Sequence, residues 1–385
     1  MLDFDLFAKN IEDAVTPRSI GFTYAIYDGL TLKKSGKGGL ARFTKYSSLQ
    51  QNPQFKMNCC SLSKTITAAA ALKAIRLRQR KRLRNGSAIT DPMAVFLPKS
   101  WIKGIGVSQL RFVDLLSHNS GLLPNGDQLD ADLYSNLKIS VALGRLSPIG
   151  GYQNINYSLF RIIIPYLILP PAAIVALEAS PASQYTLGAV YASFVREEIL
   201  NPCGVYEADI RPVADPPTVR YYNFYNKYDS VEDQLDPAGN EQIYRCGESY
   251  WYMSAIDYGA FLAGLRQGKA DLPLVPSDPI GQNISIWGQM KADSLGLFRA
   301  NSFKLSPYYF HDGAFHVDSA GEQTSWVAFP NNVTAVLMIN SYGGLSYWTF
   351  PSPGTDLSAG FNPSNLMSNS SPGILLMNAH DASLV

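Results

Sequence analysis

A serine and a lysine three residues apart can carry acyl-transfer chemistry if a helix holds them. On a helix the two side chains project from one face, so a hydroxyl lies beside an amine. A lysine kept partly neutral, by burial or by other positive groups, can take the serine proton and leave a nucleophile that attacks a carbonyl. The chain offers this spacing three times, as Ser61/Lys64, Ser100/Lys103 and Ser135/Lys138. Spacing alone does not choose among them, so the elements around each pair have to.

From Ser61 the pattern turns helical (SLSKTITAAAALKAI) and ends in the basic residues Arg76, Arg78, Arg80, Lys81, Arg82 and Arg84 before Asn85-Gly86. Basic residues suit a helix C-terminus. The plain reading of this run is a solvated charged face; docking of an acidic carrier or a phosphate-bearing substrate is the sharper one. Ser100 lies in a loop, LPKSWIKGIG, and reads as a surface serine. The four cysteines are Cys59, Cys60, Cys203 and Cys246. They lack disulfide or metal spacing and read as buried thiols of a reducing compartment. The four histidines are His118, His311, His316 and His380. None sits with a Gly-x-Ser-x-Gly elbow, and no paired His or carboxylate spacing suggests a metal. No cofactor is implied.

The 385 residues suffice for one large domain or two intertwined lobes, with 46% hydrophobic and 16% charged residues. A net charge of +1 gives no argument for nucleic acid. The N-terminus, MLDFDLFAKNIEDAV, reads as an amphipathic helix and not a signal peptide, so a cytoplasmic protein is expected. The apolar stretch 162–177 (IIIPYLILPPAAIVAL) is short for a membrane span and holds Pro165, Pro170 and Pro171. It predicts a buried helix, a turn and a second helix, with a pocket wall as the alternative.

Residues 20–28 and 31–35 predict two strands around Asp28-Gly29. Strands return from about 295, with SWVAF and VTAVLMIN forming a hairpin around Pro330-Asn331-Asn332. Between them ASFVREEIL (192–200) and IDYGAFLAGLR (256–266) are amphipathic helices, and 212–248 reads as an ordered loop region. The predicted fold is α+β. Segments 1–56 and 295–350 build one antiparallel sheet flanked by helices, and 57–294 form a mostly helical lobe. The active site lies in the cleft between them, and 351–385 is a tail with one apolar patch.

Four further segments follow Ser61 in order: LLSHNSGL (115–122), Tyr152-Gln153-Asn154 in GGYQNINYSLF, GESYWYMSAIDYGAF (247–261), and His311-Asp312-Gly313-Ala314. Over roughly residues 15–345 the set resembles the serine β-lactamase and penicillin-binding-protein superfamily. Within it the likeness is to the class C-like branch of family VIII-type esterases, D-aminopeptidases, amide hydrolases and acyltransferases. In that branch the second motif is Tyr-x-Asn and the third is often His-x-Gly. The resemblance selects Ser61, ahead of its Ala-rich helix, as nucleophile. Tyr134-Ser135-Asn136 and Tyr221-Tyr222-Asn223 also match Tyr-x-Asn. The flanks favour Tyr152, with glycines before it and an apolar helix after.

The resemblance implies that Ser61 attacks a carbonyl while Lys64 and Tyr152 share the proton transfers. Asn154 would orient Lys64 and the substrate, and the backbone N–H groups of Ser61 and Ala314 would hold the oxyanion. His311, with Gly313 and Ala314, would line the substrate site where β-lactamases carry lysine. Asp312, if it faced the cleft, would repel anions. The expected function is hydrolysis of a small neutral or hydrophobic ester or amide. The alternatives are acyl transfer to an acceptor, from a free or carrier-bound donor, and a silent binding protein.

Overall fold

In the computed structural model the described residues are 1–43, 47–81, 83, 85–122, 138, 141, 151–180, 183–210, 219–225, 240–273, 285–301, 303–317, 320–345 and 371–385. The strands are β1 (Gly21–Asp28), β2 (Thr31–Arg42), β3 (Leu49–Gln50), β4 (Met57–Asn58), β5 (Tyr222–Asn223), β6 (Tyr252–Met253), β7 (Phe298–Ala300), β8 (Tyr308–Val317), β9 (Ala320–Ala328), β10 (Val333–Ile339) and β11 (Ser341–Tyr342). Seven of them form one sheet in the order β3-β2-β1-β10-β9-β8-β7. The central pairing is antiparallel, β1 on β10, with Phe22 opposite Ile339 and Asp28 opposite Val333. The two ends of the sequence therefore meet in the middle of the sheet, as expected.

Alternation along these strands explains the layering, because successive side chains point to opposite faces. Phe22, Tyr24 and Ile26 on β1, with Ala335, Leu337 and Ile339 on β10, face one apolar cluster. Ala25 and Tyr27, with Val336 and Met338, face another. The first cluster is closed by α1 (Phe4–Val15) through Phe7, Ile11 and Val15. The second is the core of the helical lobe. Its centre is α2 (Ser63–Arg80), in which every residue from Ser63 to Ile75 is buried. Around it lie α3 (Phe112–Leu116), α4 (Ile155–Ser158), α5 (Phe160–Ile168), α6 (Pro171–Glu178), α7 (Ser183–Val195), α8 (Asn240–Arg245), α9 (Ala255–Arg266) and α10 (Ile286–Asp293).

The apolar stretch divides as its prolines predict. The α5 segment is buried apart from its last turn, Leu169-Pro170 breaks the chain, and α6 begins at Pro171 with most residues at the surface. Among the described residues no helix is long and apolar enough to cross a membrane.

Two features differ from expectation. The last segment, read as a tail, contains α11 (Pro372–Ala382), capped by the Ser371 hydroxyl on Ile374 N. Its Leu375, Leu376 and Met377 complete the cluster under α1. The apolar patch ILLM is thus a helix face that finds its partner only in the folded sheet. The basic run, where described, is less solvated than its charge suggested. Arg78 donates to Leu167 O at 3.1 Å and lies 5.0 Å from the Phe96 ring, while Arg80 donates to Pro273 O at 2.7 Å. Carbonyls left without partners at loop and helix ends attract these guanidiniums. Arg82 and Arg84 lie outside the described residues.

Candidate active site

The nucleophile candidate sits on a bend that local propensity disfavours. Between β4 and α2 the chain makes a 3-10 turn, Cys60–Leu62, entered through Cys60 at φ +49°. A left-handed conformation strains a residue with a Cβ and persists only where its surroundings hold it. Asn58 does the holding. Its Oδ1 accepts from Cys60 N at 2.9 Å and Tyr250 N at 3.2 Å, and its Nδ2 donates to Glu322 Oε1 at 2.9 Å. The Cys60 thiol donates to the same Glu322 oxygen at 3.1 Å. The bend leaves Ser61 half-buried while Leu62, Ser63 and Lys64 go into the core. No residue pattern announced it, because Cys60 carries no left-handed signal of the kind Gly or Asn would.

Lys64 Nζ donates to Ser61 Oγ at 3.0 Å and to the Glu248 carbonyl at 3.0 Å. Burial lowers its pKa from 10.5 to about 7, against the pull of Glu248 and with help from Arg245. Near pH 7 a large fraction of the amine is therefore neutral, as a base for serine needs. Glu248 and Arg245 were absent from the sequence-based site. They form a buried ion pair, Arg245 Nε to Glu248 Oε1 at 3.2 Å, and the Ser158 hydroxyl donates to the other Glu248 oxygen. Two charges that cancel beside Lys64 explain why burial decides its titration.

Tyr152 joins this pair. Its ring centroid is 5.1 Å from Lys64 Nζ, and the ring stacks on His118 at 4.2 Å. His118 has φ +60° at the turn after α3, and its Nδ1 accepts from Gln153 N at 3.2 Å. It therefore braces the Tyr152 loop. Asn154 departs from its expected role. Its Oδ1 is buried with no hydrogen-bond partner among the described residues, and the Glu248 carbonyl orients Lys64 instead. Of the competing motifs, Tyr221 Oη accepts from Asn58 N at 3.0 Å and braces the strand before Ser61. Tyr134, Asn136 and Ser135 lie outside the described residues. Ser100 is exposed, and Lys103 donates to the Pro98 and Trp101 carbonyls.

The facing wall is β8. β7 pairs with β8 only at Tyr308–Phe310, so among the described residues no strand covers that edge from His311 onward. A Cβ at Gly313 would stand 2.9 Å from both Ser61 N and Cys60 Cβ, so only glycine lets the strand pass this close. Ala314, half-buried, follows on the open edge. The Ser61 N–H belongs to the first turn of its helical segment, where donors lack intrahelical partners. His311 Nδ1 meets the Asp312 carbonyl at 2.7 Å, and burial, then Lys64, drives its pKa down to about 3. It is neutral at physiological pH.

Asp312 points the other way. Strand alternation turns it to the opposite face, where a Cβ on Gly373 would come within 2.6 Å of its Oδ1. Burial raises its pKa from 3.8 to about 6, opposed by Ser325, Ser371 and the Gly373 N–H at the start of α11. Its charge therefore does not screen the cleft. Beside the site a cavity of about 280 Å³ is lined by Val113, Ser117, His118, Leu297, Phe298 and His311, among others.

The chain matches no protein-family model and no curated protein sequence. Solved structures do match it. A β-lactamase/D-alanine carboxypeptidase from Pseudomonas syringae aligns over 88% of this chain and 94% of its own, at 13% identity and TM-score 0.60. A penicillin-binding protein homologue from Pyrococcus abyssi covers 89% and 74%, at 15% and 0.61. A D-stereospecific amidohydrolase from Streptomyces sp. covers 88% and 94%, at 16% and 0.57. The chain has the fold of the serine β-lactamase and penicillin-binding-protein superfamily.

Proposed function

We propose that the chain is a serine acyl hydrolase, an esterase or amidase acting on small neutral or hydrophobic substrates through an acyl-enzyme at Ser61. The observation that carries this reading is the 3.0 Å contact between Ser61 Oγ and a buried Lys64 whose pKa is lowered to about 7. Neutral Lys64 takes the Ser61 proton as Oγ bonds to the carbonyl carbon. The oxyanion forms between the N–H groups of Ser61 and Ala314. Proton return through Lys64 and Tyr152 to the leaving group breaks its bond to carbon. Water then repeats the sequence and frees the acid. A neutral His311 supplies no fixed charge for a carboxylate, which favours uncharged substrates.

Transfer to an alcohol or amine would use the same acyl-enzyme. The apolar stretch 162–177, whose alternative reading was a pocket wall, lends transfer no support, since neither α5 nor α6 lines the cavity beside the site. Hydrolysis is therefore the first reading. A fluorophosphonate probe should label the protein at Ser61, and Ser61→Ala should lose both labelling and turnover of a nitrophenyl ester. Unlabelled Ser61 with turnover intact in the variant would sink the reading. Product analysis with added alcohols and amines separates hydrolysis from transfer.

A further inference from the structure

The turn that follows α8 touches both members of the candidate pair, and one guanidinium spans it. Arg245 ends α8, and its carbonyl accepts from Glu248 N at 2.9 Å and Ser249 N at 3.0 Å. Its Nε donates to a Glu248 carboxylate oxygen at 3.2 Å, and the Ser158 hydroxyl donates to the other oxygen. Its Nη1 donates to the Tyr250 hydroxyl at 3.4 Å, with the guanidinium 5.1 Å from the Tyr250 ring centre. Tyr250 stands at φ +66°, a left-handed conformation that persists only where its surroundings hold it. Arg245 and Glu248 are 4% and 1% exposed. Removing one member of a buried ion pair leaves the other charge uncompensated, so the two act as a unit.

The same turn lends three backbone groups to the site. The Glu248 carbonyl accepts from Lys64 Nζ at 3.0 Å. One turn further along α2, the Thr67 hydroxyl donates to the Gly247 carbonyl at 2.7 Å. Tyr250 N donates to Asn58 Oδ1 at 3.2 Å, the atom that also accepts from Cys60 N at the bend before Ser61. Lys64 and the nucleophile bend are thus held from one short segment, and Arg245 ties its middle to its end. Charge points the same way. Glu248 favours the ammonium form of Lys64, and Arg245 opposes it. The other groups facing Lys64 are Cys60 from the bend, Tyr152 from its loop, His118 from the turn after α3 and His311 from β8. Burial, then Lys64 itself, keeps both histidines neutral, so the ion pair supplies the full charges.

We infer that Arg245 is a positioning residue of the site. By pairing with Glu248 it fixes the turn that sets Lys64 against Ser61, and it keeps the Glu248 carboxylate from becoming the counterion of Lys64. Its bearing on catalysis rests on the proposed acyl-enzyme chemistry, but its hold on Lys64 does not.

The first test needs no turnover. Lys64 is titrated by carbon NMR of the full chain with lysine enriched at Cε, its signal assigned by its loss in Lys64→Met. Glu248→Gln can keep the hydrogen bonds to Arg245 and Ser158 but leaves the guanidinium unopposed. Its Lys64 midpoint is expected to fall by about one pH unit, a tenfold change in the ratio of charged to neutral amine. Arg245→Met leaves the carboxylate unopposed, and the midpoint should rise by about one unit. Joining the two substitutions should return it near the wild-type value. The second test separates position from charge. Arg245→Lys keeps the charge and loses the planar fork, so the midpoint should stay while kcat on a nitrophenyl ester falls by about tenfold or more with KM little changed. If Arg245→Met does not fold, Glu248→Gln and Arg245→Lys decide. An unchanged midpoint in Glu248→Gln, a shift in the same direction in both single variants, or wild-type kcat in Arg245→Lys overturns the inference. Opposite midpoint shifts in a chain whose Ser61 takes no fluorophosphonate would overturn only the proposed chemistry.

Discussion

In the proposed reaction Lys64 is the base for Ser61, and its titration gives the first prediction. The folded pKa is lowered to about 7, so the amine becomes an available base as pH rises through 7. Activity as kcat/KM is expected to climb tenfold per pH unit below about 6.5 and level off above about 7.5, measured on a neutral ester. A profile flat from pH 5 to 9 would remove Lys64 from the base role. Lys64→Met should lower kcat by about 10²–10⁴. Gly313 makes the second residue-scale prediction. In Gly313→Ala the new Cβ meets Ser61 N and Cys60 Cβ at 2.9 Å, so strand and nucleophile must move apart. We expect a loss of about 1–3 kcal/mol in stability and a larger relative loss in kcat than in KM.

At the scale of elements, the strand that carries His311 and Gly313 packs its intervening Asp312 against the start of α11. The carboxyl pKa is raised on folding, from 3.8 to about 6. The sign follows. Below pH 3.8 both states hold the proton, and stability declines as pH rises from about 4 to 6 because folding opposes ionisation. The decline should be of the order of 3 kcal/mol at its plateau, from about two pKa units at 1.36 kcal/mol each. Asp312→Asn should abolish this slope in urea melts across pH 4–7. A slope retained in the variant would place the titration elsewhere. Burial of a polar strand residue between His311 and Gly313 was not legible in the sequence, since alternation places it away from the cleft only once the sheet's two faces are known.

Across the whole molecule, α11 closes a cluster shared with α1 and the inner strands. Ile374, Leu375, Leu376 and Met377 are all buried, each contributing about 1.5–3 kcal/mol. Their sum is comparable to the 5–15 kcal/mol net stability of an ordinary domain. Deleting residues 371–385 is therefore expected to leave no cooperative thermal transition near that of the full chain. An unchanged melting temperature would refute the packing role of α11. The sheet, the terminal-strand pairing and the Ala-rich helix after Ser61 were legible, because alternation and helical periodicity are local signals that burial reinforces. The helix within 372–382 was not, since its apolar face follows a long Pro, Ser and Asn-rich segment and depends on a distant partner.

Sequence by itself offered three Ser/Lys pairs at helical spacing, and the resemblance carried by the later motifs selected Ser61 and Lys64 as the candidates. It also determined the α+β layout. Only the tertiary structure decided the electrostatics: a lysine whose pKa burial lowers beside the Arg245–Glu248 pair, an aspartate turned from the cleft, and two histidines whose Nδ1 atoms meet backbone partners. The physical reason is that spacing is a property of one element. Desolvation and hydrogen-bond direction belong to groups that meet from elements as far apart in the chain as residues 64, 118, 248 and 311.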